Sequence, residues 1–530
     1  MSTVLTNTRK KTIAIIGAGP AGLCALKSVL EREEYKNGEW EVTVFEARED
    51  VCGVWLPAEP TTSTTPPVMP MYDSLTTNLP HPVMSFPGFP FPPETPLFPK
   101  AAAVLEYLRL YIQFYDLRSH IRLNTRVANV DWNKEDERWA VETTPETTRD
   151  GEQQGHRETT PADLVVVSNG HYSSPRFPTT PGVREWVEKG VATHAMWYRR
   201  PPPPPSTQGP PRREIKILVV GAGPSGQDLV ADFLSLPTSD SYTYTVIHST
   251  TSSASESVPQ PNGNTLLRRP CVSLYHTLAS NVRPTVTFGN GQVEAGIDHV
   301  YLATGYSYSC PFLPPHILKE GCPPSLDFED GTKQGEVVEG KGLWNTGYSM
   351  HHLARHVWPV PLSSSPCSAL PYPPTSLAFL ALPFLVAPFP LVDAQARAVL
   401  AAFLDPTLFN VEKEVALVRE RYREALGQGA DGGKEERGSS EQFDYGDFLP
   451  QGSHHRIPAW HLKIYEAKTA LRQRWRAFEK SGDWNECVKG VGSDGWDEQR
   501  GGYETEESAR AAEKLWEDVC WNVLGDGRKA

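Results

Sequence analysis

Thr12-Ile13-Ala14-Ile15-Ile16-Gly17-Ala18-Gly19-Pro20-Ala21-Gly22 is the stretch on which the fold of this 530-residue chain turns. The apolar run predicts a buried strand over Thr12–Ile16, and a helix over Ala21–Glu33 follows the glycines. Gly17 permits a tight turn, Gly19 lets backbone approach a pyrophosphate, and Gly22 lets the helix lie close on the strand. The helix opens with Pro20 and Ala21, and its first N–H groups, lacking partners inside the helix, are donors for phosphate. A second strand, Glu41–Glu46, ends in Glu46 at the expected distance of about 20 residues. A carboxylate there accepts from ribose hydroxyls and repels a 2′-phosphate, which selects FAD or NAD over NADP.

The pattern occurs twice. Gly221-Ala222-Gly223-Pro224-Ser225-Gly226-Gln227 follows a predicted strand, Ile217–Val220, within a strand–turn–helix unit over Ile215–Phe233. Its second strand, Tyr244–Ile247, runs into His248-Ser249-Thr250 instead of an acid. Imidazole and hydroxyl groups donate to a 2′-phosphate, so NADPH is expected here, with Arg199, Arg200, Arg268 or Arg269 as the cation. Two such units in one chain predict a flavin reduced by a nicotinamide, which leaves reductase and oxygenase chemistry both open.

Composition narrows the class. Hydrophobic residues at 39% and charged residues at 22% are ordinary for a globular chain, and the length predicts about three to four domain-sized units. The 49 prolines nearly double the usual share of about 5%, which predicts a loop-rich architecture. A net charge of −13 argues against nucleic acid and anionic membrane as partners. The eight cysteines contain no CxxC pair, against a zinc ribbon or a dithiol centre. His351-His352 lacks a third clustered ligand, so polar surface residues are expected there and no metal. The N-terminus has no apolar core for a secretory signal. The most apolar stretch, Leu377–Val392, is short of a membrane span and interrupted by Pro383, Pro388 and Pro390, so it is expected to be buried strand and loop. The expectation is a cytoplasmic protein without a transmembrane segment, and a homo-oligomer is compatible with every feature.

Along the chain, Pro57–Pro99 is dense in Pro, Thr and Phe and is expected to run irregularly over the surface. An amphipathic helix follows over Ala101–Tyr115, with Leu105, Leu108 and Ile112 on one stripe. Strands are expected at Ile121–Val130, Trp139–Glu142 and Asp163–Ser168, with an exposed hairpin insertion over Thr143–Thr160. Pro201–Pro205 with Pro210 and Pro211 predict a polyproline linker, and Gly289-Asn290-Gly291 a hairpin. After Gly427 a charged stretch leads to an amphipathic helix over Pro458–Lys480. The fold class expected is α/β: two Rossmann-like three-layer dinucleotide-binding domains, the NADPH domain inserted into the FAD domain, plus a C-terminal helical tail. The expected bounds are 1–178 and 296–427 for FAD, 179–295 for NADPH, and 428–530 for the charged linker and tail.

Further segments resemble the flavin-containing monooxygenases. Gly190 to Tyr198 is similar to that family's FxGxxxHxxx(Y/F) sequence around His194, with Glu188 in place of the aromatic and Trp186 close by. Ala303-Thr304-Gly305-Tyr306, with Asp298 before and Pro311-Phe312-Leu313 after, resembles its D…ATGY…PFL segment. Asp163–Gly170 with His171-Tyr172 and Pro175 resembles the return to the FAD domain. Cys52-Gly53-Val54-Trp55 resembles its GGxW segment, and Cys52, with no partner cysteine, is expected to pack. Tyr72 to Pro80 resembles the segment whose asparagine lies beside the flavin, which falls on Asn78 here.

The resemblance covers Thr12 to Leu404. It implies that Asn78 is catalytic and that Val54, Trp55, Thr77, Thr304 and Gly305 join the glycine turns in contacting cofactor. It also implies that NADPH reduces FAD, O₂ adds at flavin C4a, and an amine nitrogen or sulfur of a small molecule takes the distal oxygen. Tyr198, where Baeyer–Villiger enzymes resemble one another in having tryptophan, leans against ketone oxygenation. Baeyer–Villiger-type oxygenation, N-hydroxylation and a non-oxygenating NADPH-dependent flavoprotein remain as alternatives.

Overall fold

The computed structural model of the chain describes residues 9–59, 69–145, 157–203, 213–239, 242–279, 282–321, 342–361, 370–384, 386–427 and 458–525. Two compact units emerge: Met1–Leu56, Thr77–His171 and Tyr308–Ala530 form the first, and Pro57–Thr76 with Tyr172–Ser307 the second.

The first unit opens with β1 (Lys11–Ile16), α1 (Pro20–Leu30) and β2 (Trp40–Phe45). It continues through α2 (Ala101–Phe114), β3 (Ile121–Arg122), β4 (Thr125–Asn133), β5 (Arg138–Pro145), β6 (Glu158–Ala162) and β7 (Leu164–Val167). The second unit contributes β8 (Ala192–His194), β9 (Arg213–Val220), α3 (Pro224–Ser235), β10 (Tyr242–Ser249), β11 (Glu256–Pro259) and β12 (Thr265–Arg269). It also holds β13 (Val272–Tyr275), β14 (Thr285–Phe288), β15 (Val293–Ala295) and β16 (His299–Leu302). The later part of the first unit includes β17 (Leu377–Phe379), α4 (Pro388–Leu404), α5 (Val411–Gly427), α6 (Ala459–Ser481) and α7 (Glu506–Leu524).

In the first unit a fully parallel sheet has the order β17-β7-β1-β2-β3, and β4, β5 and β6 form an antiparallel meander. In the second unit the order is β11-β12-β10-β9-β16-β8, parallel except for β11 against β12. In both, the strand before the glycine turn sits between neighbours reached by separate crossovers. The turn therefore opens at the C-terminal edge where the strand order reverses, which is where open α/β sheets take ligands. β1 and β9 are held there by burial: Ile13, Ile15, Leu218 and Val219 have no exposed surface, and each such side chain contributes roughly 1.5–3 kcal/mol.

The structure moves several expected boundaries. β16 pairs in parallel with β9 and β8, so the chain re-enters the first unit at Tyr308, not at 296. The Pro57–Pro99 stretch does not run over one surface. Its first part, through Thr76, belongs to the second unit, while Leu79, Phe86, Phe89, Phe91 and Phe98 are buried in the first unit's core. Pro388, expected to interrupt a loop, opens α4, because proline fits the first helical turn, where its missing N–H costs nothing. His352 is buried, not on the surface, and His351 is half-buried beside Ser349. The hairpin over Gly289–Gly291 forms between β14 and β15. Residues 146–156 of the expected insertion and 204–212 of the proline run lie outside the described residues.

The tail is part of the first unit. Ile464, Leu471 and Trp475 of α6 and Trp516, Val519 and Cys520 of α7 join the same core cluster as α1. α7 begins at a reciprocal cap between Thr505 and Ser508. Among the described residues, no helix is long and apolar enough to cross a membrane, and no group of three or more His, Cys, Asp or Glu residues is placed to hold a metal.

Candidate functional site

At the first glycine turn the fit of helix to strand is tight. A Cβ on Gly22 would lie 1.9 Å from the Gly17 carbonyl oxygen, so only glycine lets α1 start this close to β1. α1 starts at Pro20 with Gly19 as its N-cap, and no side chain caps it, so its first N–H groups stay available to an anion. Glu46, buried at the end of β2, ties the turn down: Oε2 accepts from Ala18 N at 2.7 Å and Oε1 from Arg48 N at 2.9 Å. Burial pushes its pKa up, and those backbone donors oppose the shift. Each oxygen keeps a second lone pair for a ribose hydroxyl.

Cys52-Gly53 lies over the same turn. Cys52 N donates to Ala18 O at 2.9 Å, and a Cβ on Gly53 would come 2.9 Å from Gly19 Cα. The Cys52 thiol is fully buried and its pKa is pushed up to about 12, chiefly by that burial, consistent with packing and not redox chemistry. Arg48 Nη1 donates to Gly53 O at 2.8 Å and fixes the short helical turn that carries Val54 and Trp55. Thr77 N donates to Pro99 O and its hydroxyl to Leu79 O, which shapes the bend at Asn78. Asn78 is exposed, and among the described residues no hydrogen bond engages its amide.

The second turn has the same build. Gly221, at φ +126°, would place a Cβ 2.2 Å from Ala303 O, whereas a Cβ on Gly223 would meet open space. Gly223 is the uncapped N-cap of α3, Pro224 opens the helix, and Ser225 and Gly226 complete its first turn. Gln227 folds back so that Nε2 donates to Ala222 O at 2.9 Å. Both turns thus offer an open edge with unsatisfied N–H donors, the arrangement a dinucleotide pyrophosphate needs.

The expected donors at the end of β10 divide. His248 Nε2 donates to Gly221 O at 2.9 Å, since a carbonyl can only accept, and so holds the glycine turn as Glu46 holds the other. Ser249 is buried, and its hydroxyl donates to Pro270 O at 2.8 Å, directed away from a phosphate site because the strand's alternation points it into the core. Arg268 stands opposite His248 in the register of β12, exposed and paired with Glu256 at 2.8 Å. Arg199 is buried among backbone carbonyls, and Arg200 pairs with Asp73 at 3.0 Å.

His194 and Thr304-Gly305 form one clasp inside the second unit. His194 Nε2 donates to Gly305 O at 3.0 Å, and its Nδ1 accepts from Met196 N at 3.1 Å. That pair of bonds needs the neutral ring, and burial pushes its pKa down to about 4. The Thr304 hydroxyl donates to Arg176 O, and Arg176 returns bonds to Thr304 O and Gly305 O. Trp186 is fully buried and donates to His276 O, while Glu188 is exposed. Sequence reasoning named His194 and Gly305 but missed Arg176, whose role depends on contacts more than a hundred residues away in the chain.

Two cradles of this build, one in each unit and each at a strand-order reversal, define a protein that binds two dinucleotides. The flavin-binding monooxygenase-like family profile matches residues 10–257. The thiol-specific monooxygenase of Saccharomyces cerevisiae is 29% identical over 403 residues, 74% of this chain and 77% of that protein. The flavin-containing monooxygenase FMO GS-OX-like 7 of Arabidopsis thaliana is 27% identical over 510 residues, 90% and 92% of the two chains. Among solved structures, S-allyl-L-cysteine S-oxygenase from Allium sativum matches with a TM-score of 0.65 at 23% identity, covering 96% of this chain and 98% of that one. The chain is thus similar, over most of its length, to flavin-containing and thiol-specific monooxygenases. It is an oxidoreductase of the monooxygenase class, with FAD and NADPH as its cofactors.

Proposed function

We propose that the chain uses NADPH and O₂ to place one oxygen atom on a soft nucleophile, a sulfur or an amine nitrogen, of a small molecule. The observation that carries the assignment of cofactors is the difference between two otherwise similar cradles: a buried carboxylate, Glu46, anchors one, and an imidazole, His248, with Arg268 registered beside it, anchors the other. A carboxylate suits the ribose of FAD, and a guanidinium suits a 2′-phosphate. Of the expected phosphate-binding set, Ser249 is turned away and Arg268 is kept as the cation.

Bound FAD, reduced by NADPH, supplies the activation of O₂. The chain's own residues hold and orient. The first N–H groups of α1 and α3 bind the two pyrophosphates, and Glu46 and His248 hold each glycine turn in shape. Thr77 sets the bend that presents Asn78, whose amide both donates and accepts and so serves a reacting oxygen in either protonation state. The His194–Gly305–Arg176 clasp keeps Thr304-Gly305 at the sheet edge. Sulfur is favoured over nitrogen by the relative named a thiol-specific monooxygenase.

The test supplies the purified holoenzyme with NADPH, isotopically heavy O₂ and, in turn, a small thiol, a thioether and a tertiary amine. The expected result is NADPH-dependent product carrying one heavy oxygen. Recovery of all consumed O₂ as peroxide with every substrate overturns the reading. Asn78→Ala should keep its flavin and lose product per NADPH by about tenfold or more, on the scale of a lost polar contact to a reacting oxygen. An unchanged yield removes Asn78 from the site.

A further inference from the structure

Thr77–Pro99, which carries Asn78, is a closed loop lying wholly within the first unit. Thr77 N donates to Pro99 O and His81 N to Leu97 O, both at 2.9 Å, and Asn78 sits between these two closing bonds. The loop holds one short helical turn, His81–Met84, and eight prolines. Each proline removes a backbone donor, so a hydrogen-bond ladder of its own is not available to fix the loop's shape. Ordering so long a segment costs conformational entropy well beyond what two closing bonds offset. The shape has to come from what packs on it.

One set of contacts comes from α2. Phe91 stacks on Tyr107 with ring centroids 3.8 Å apart, and the Tyr107 hydroxyl accepts from Phe86 N and donates to Phe89 O, both at 2.7 Å. A second set comes from the C-terminal tail. Trp516 of α7 meets the His81 ring edge-on at 4.3 Å, and the Glu513 carboxylate one turn earlier takes the Gly88 N–H. Glu94 makes a reciprocal pair with the segment between α6 and α7: its N donates to Val491 O at 3.3 Å, and its Oε1 accepts from Gly490 N at 2.9 Å. The Arg472 guanidinium of α6 lies 4.9 Å over the Phe98 ring. The tail therefore touches the loop near its start, at its middle and near its end.

We propose that the C-terminal tail is the template for the Asn78 loop, with Glu513, Trp516 and the Gly490–Val491 segment as positioning residues, a role that rests on the monooxygenase reading above. A tail that only covered apolar surface would need no directed polar contacts. Here two carboxylates, one on the loop and one on α7, each accept a backbone N–H from the opposite partner. Such charge-assisted bonds fix register as well as proximity. Asn78 stands three residues before His81, so a loop released from α7 is released beside the residue that serves the reacting oxygen.

Hydrogen–deuterium exchange of the flavin-loaded full chain reads the template directly. In a Glu94→Ala/Glu513→Ala double variant, peptides within 77–99 should exchange about tenfold faster, the factor expected for one lost charge-assisted hydrogen bond, with peptides of β1 and α1 unchanged. In turnover, flavin reduction by NADPH should stay within about twofold of wild type while peroxide released per NADPH rises about fivefold, because only the placement of Asn78 is disturbed. Glu94→Gln/Glu513→Gln, which keeps both acceptor oxygens, should restore wild-type exchange and peroxide release. Should the double variant lose its flavin, the single change Glu94→Ala, at an exposed side chain, gives the same comparison. Unchanged exchange over 77–99 overturns the template, and faster exchange with unchanged peroxide release overturns its role in placing Asn78. A wild-type chain that takes no electrons from NADPH defeats the monooxygenase reading instead, and the exchange comparison still decides the template.

Discussion

His81 has no exposed surface, and its ring lies 5.0 Å from Phe91 and 4.3 Å from Trp516 of α7. Burial pushes its pKa down from 6.5 to about 3. The unfolded chain therefore takes up a proton near pH 6.5 that the folded chain refuses over the next several units. A depressed folded value means that the stability is fully present above pH 6.5 and is lost as pH falls from there toward about 3. Within that window the slope is ~1.3 kcal/mol per pH unit, so between pH 7.5 and 5.0 this one ring costs the protein about 2 kcal/mol. His81→Phe keeps an aromatic ring between Phe91 and Trp516 and removes the proton site. At pH 7.5 the variant should lie within ~1.5 kcal/mol of wild type. Its loss of stability on going to pH 5.0 should be smaller by about 2 kcal/mol. Urea unfolding of the holoenzyme at pH 7.5, 6.25 and 5.0, followed by tryptophan emission with equal slopes required for comparison, measures this. The same acid-induced loss in both proteins would refute the argument. His171, His194 and His461, pushed down to about 4 by burial, and His352, to about 3, add to the acid sensitivity in the same direction.

Gly22→Ala would set a methyl 1.9 Å from a backbone oxygen that cannot swing away. It should cost ~1–3 kcal/mol and lower the flavin-to-protein absorbance ratio of the purified enzyme. Arg268→Ala should raise the KM for NADPH about tenfold and leave that for NADH unchanged, since only the 2′-phosphate loses a partner; steady-state kinetics with both nucleotides decides it. Arg355 and Glu414 form a buried pair with contacts of 2.9 and 3.2 Å. Arg355→Met strands a buried carboxylate and should cost ~3–5 kcal/mol, read as a lowered denaturation midpoint.

The parts of the fold that depend on neighbours in sequence were legible. The strand–turn–helix units around Gly17 and Gly221 lie where their spacing puts them, and the hairpin at Gly289–Gly291 follows from its turn residues. What was not legible depends on pairing across long separations. Nothing near His299 says that β16 continues the second sheet, and nothing near Phe86 or Phe91 says that a proline-rich stretch is core. Ser249 was misplaced because strand alternation fixes a face only once the neighbours are known. The part played by Arg176 was hidden for the same reason: it acts through Thr304 and Gly305, more than a hundred residues away. Asn78 was picked out by the resemblance alone; what the structure adds is an exposed amide beside the bend set by Thr77.

The discontinuous path of the first unit has a consequence for how the chain is made. The second unit is complete in sequence once Ser307 has been synthesised, since all its segments precede that point. The first unit's parallel sheet must wait for β17, and its core cluster for Trp516 to Leu524, near the end of the chain. At ~5–20 residues per second, β1, α1 and β2 spend roughly 20 to 70 s on the ribosome without their final strand. During that interval the open edge of β7 and the apolar underside of α1 are the surfaces a chaperone must cover. The second unit has its whole sequence by then, and a translational pause before β17 would lengthen the exposure of the first unit alone.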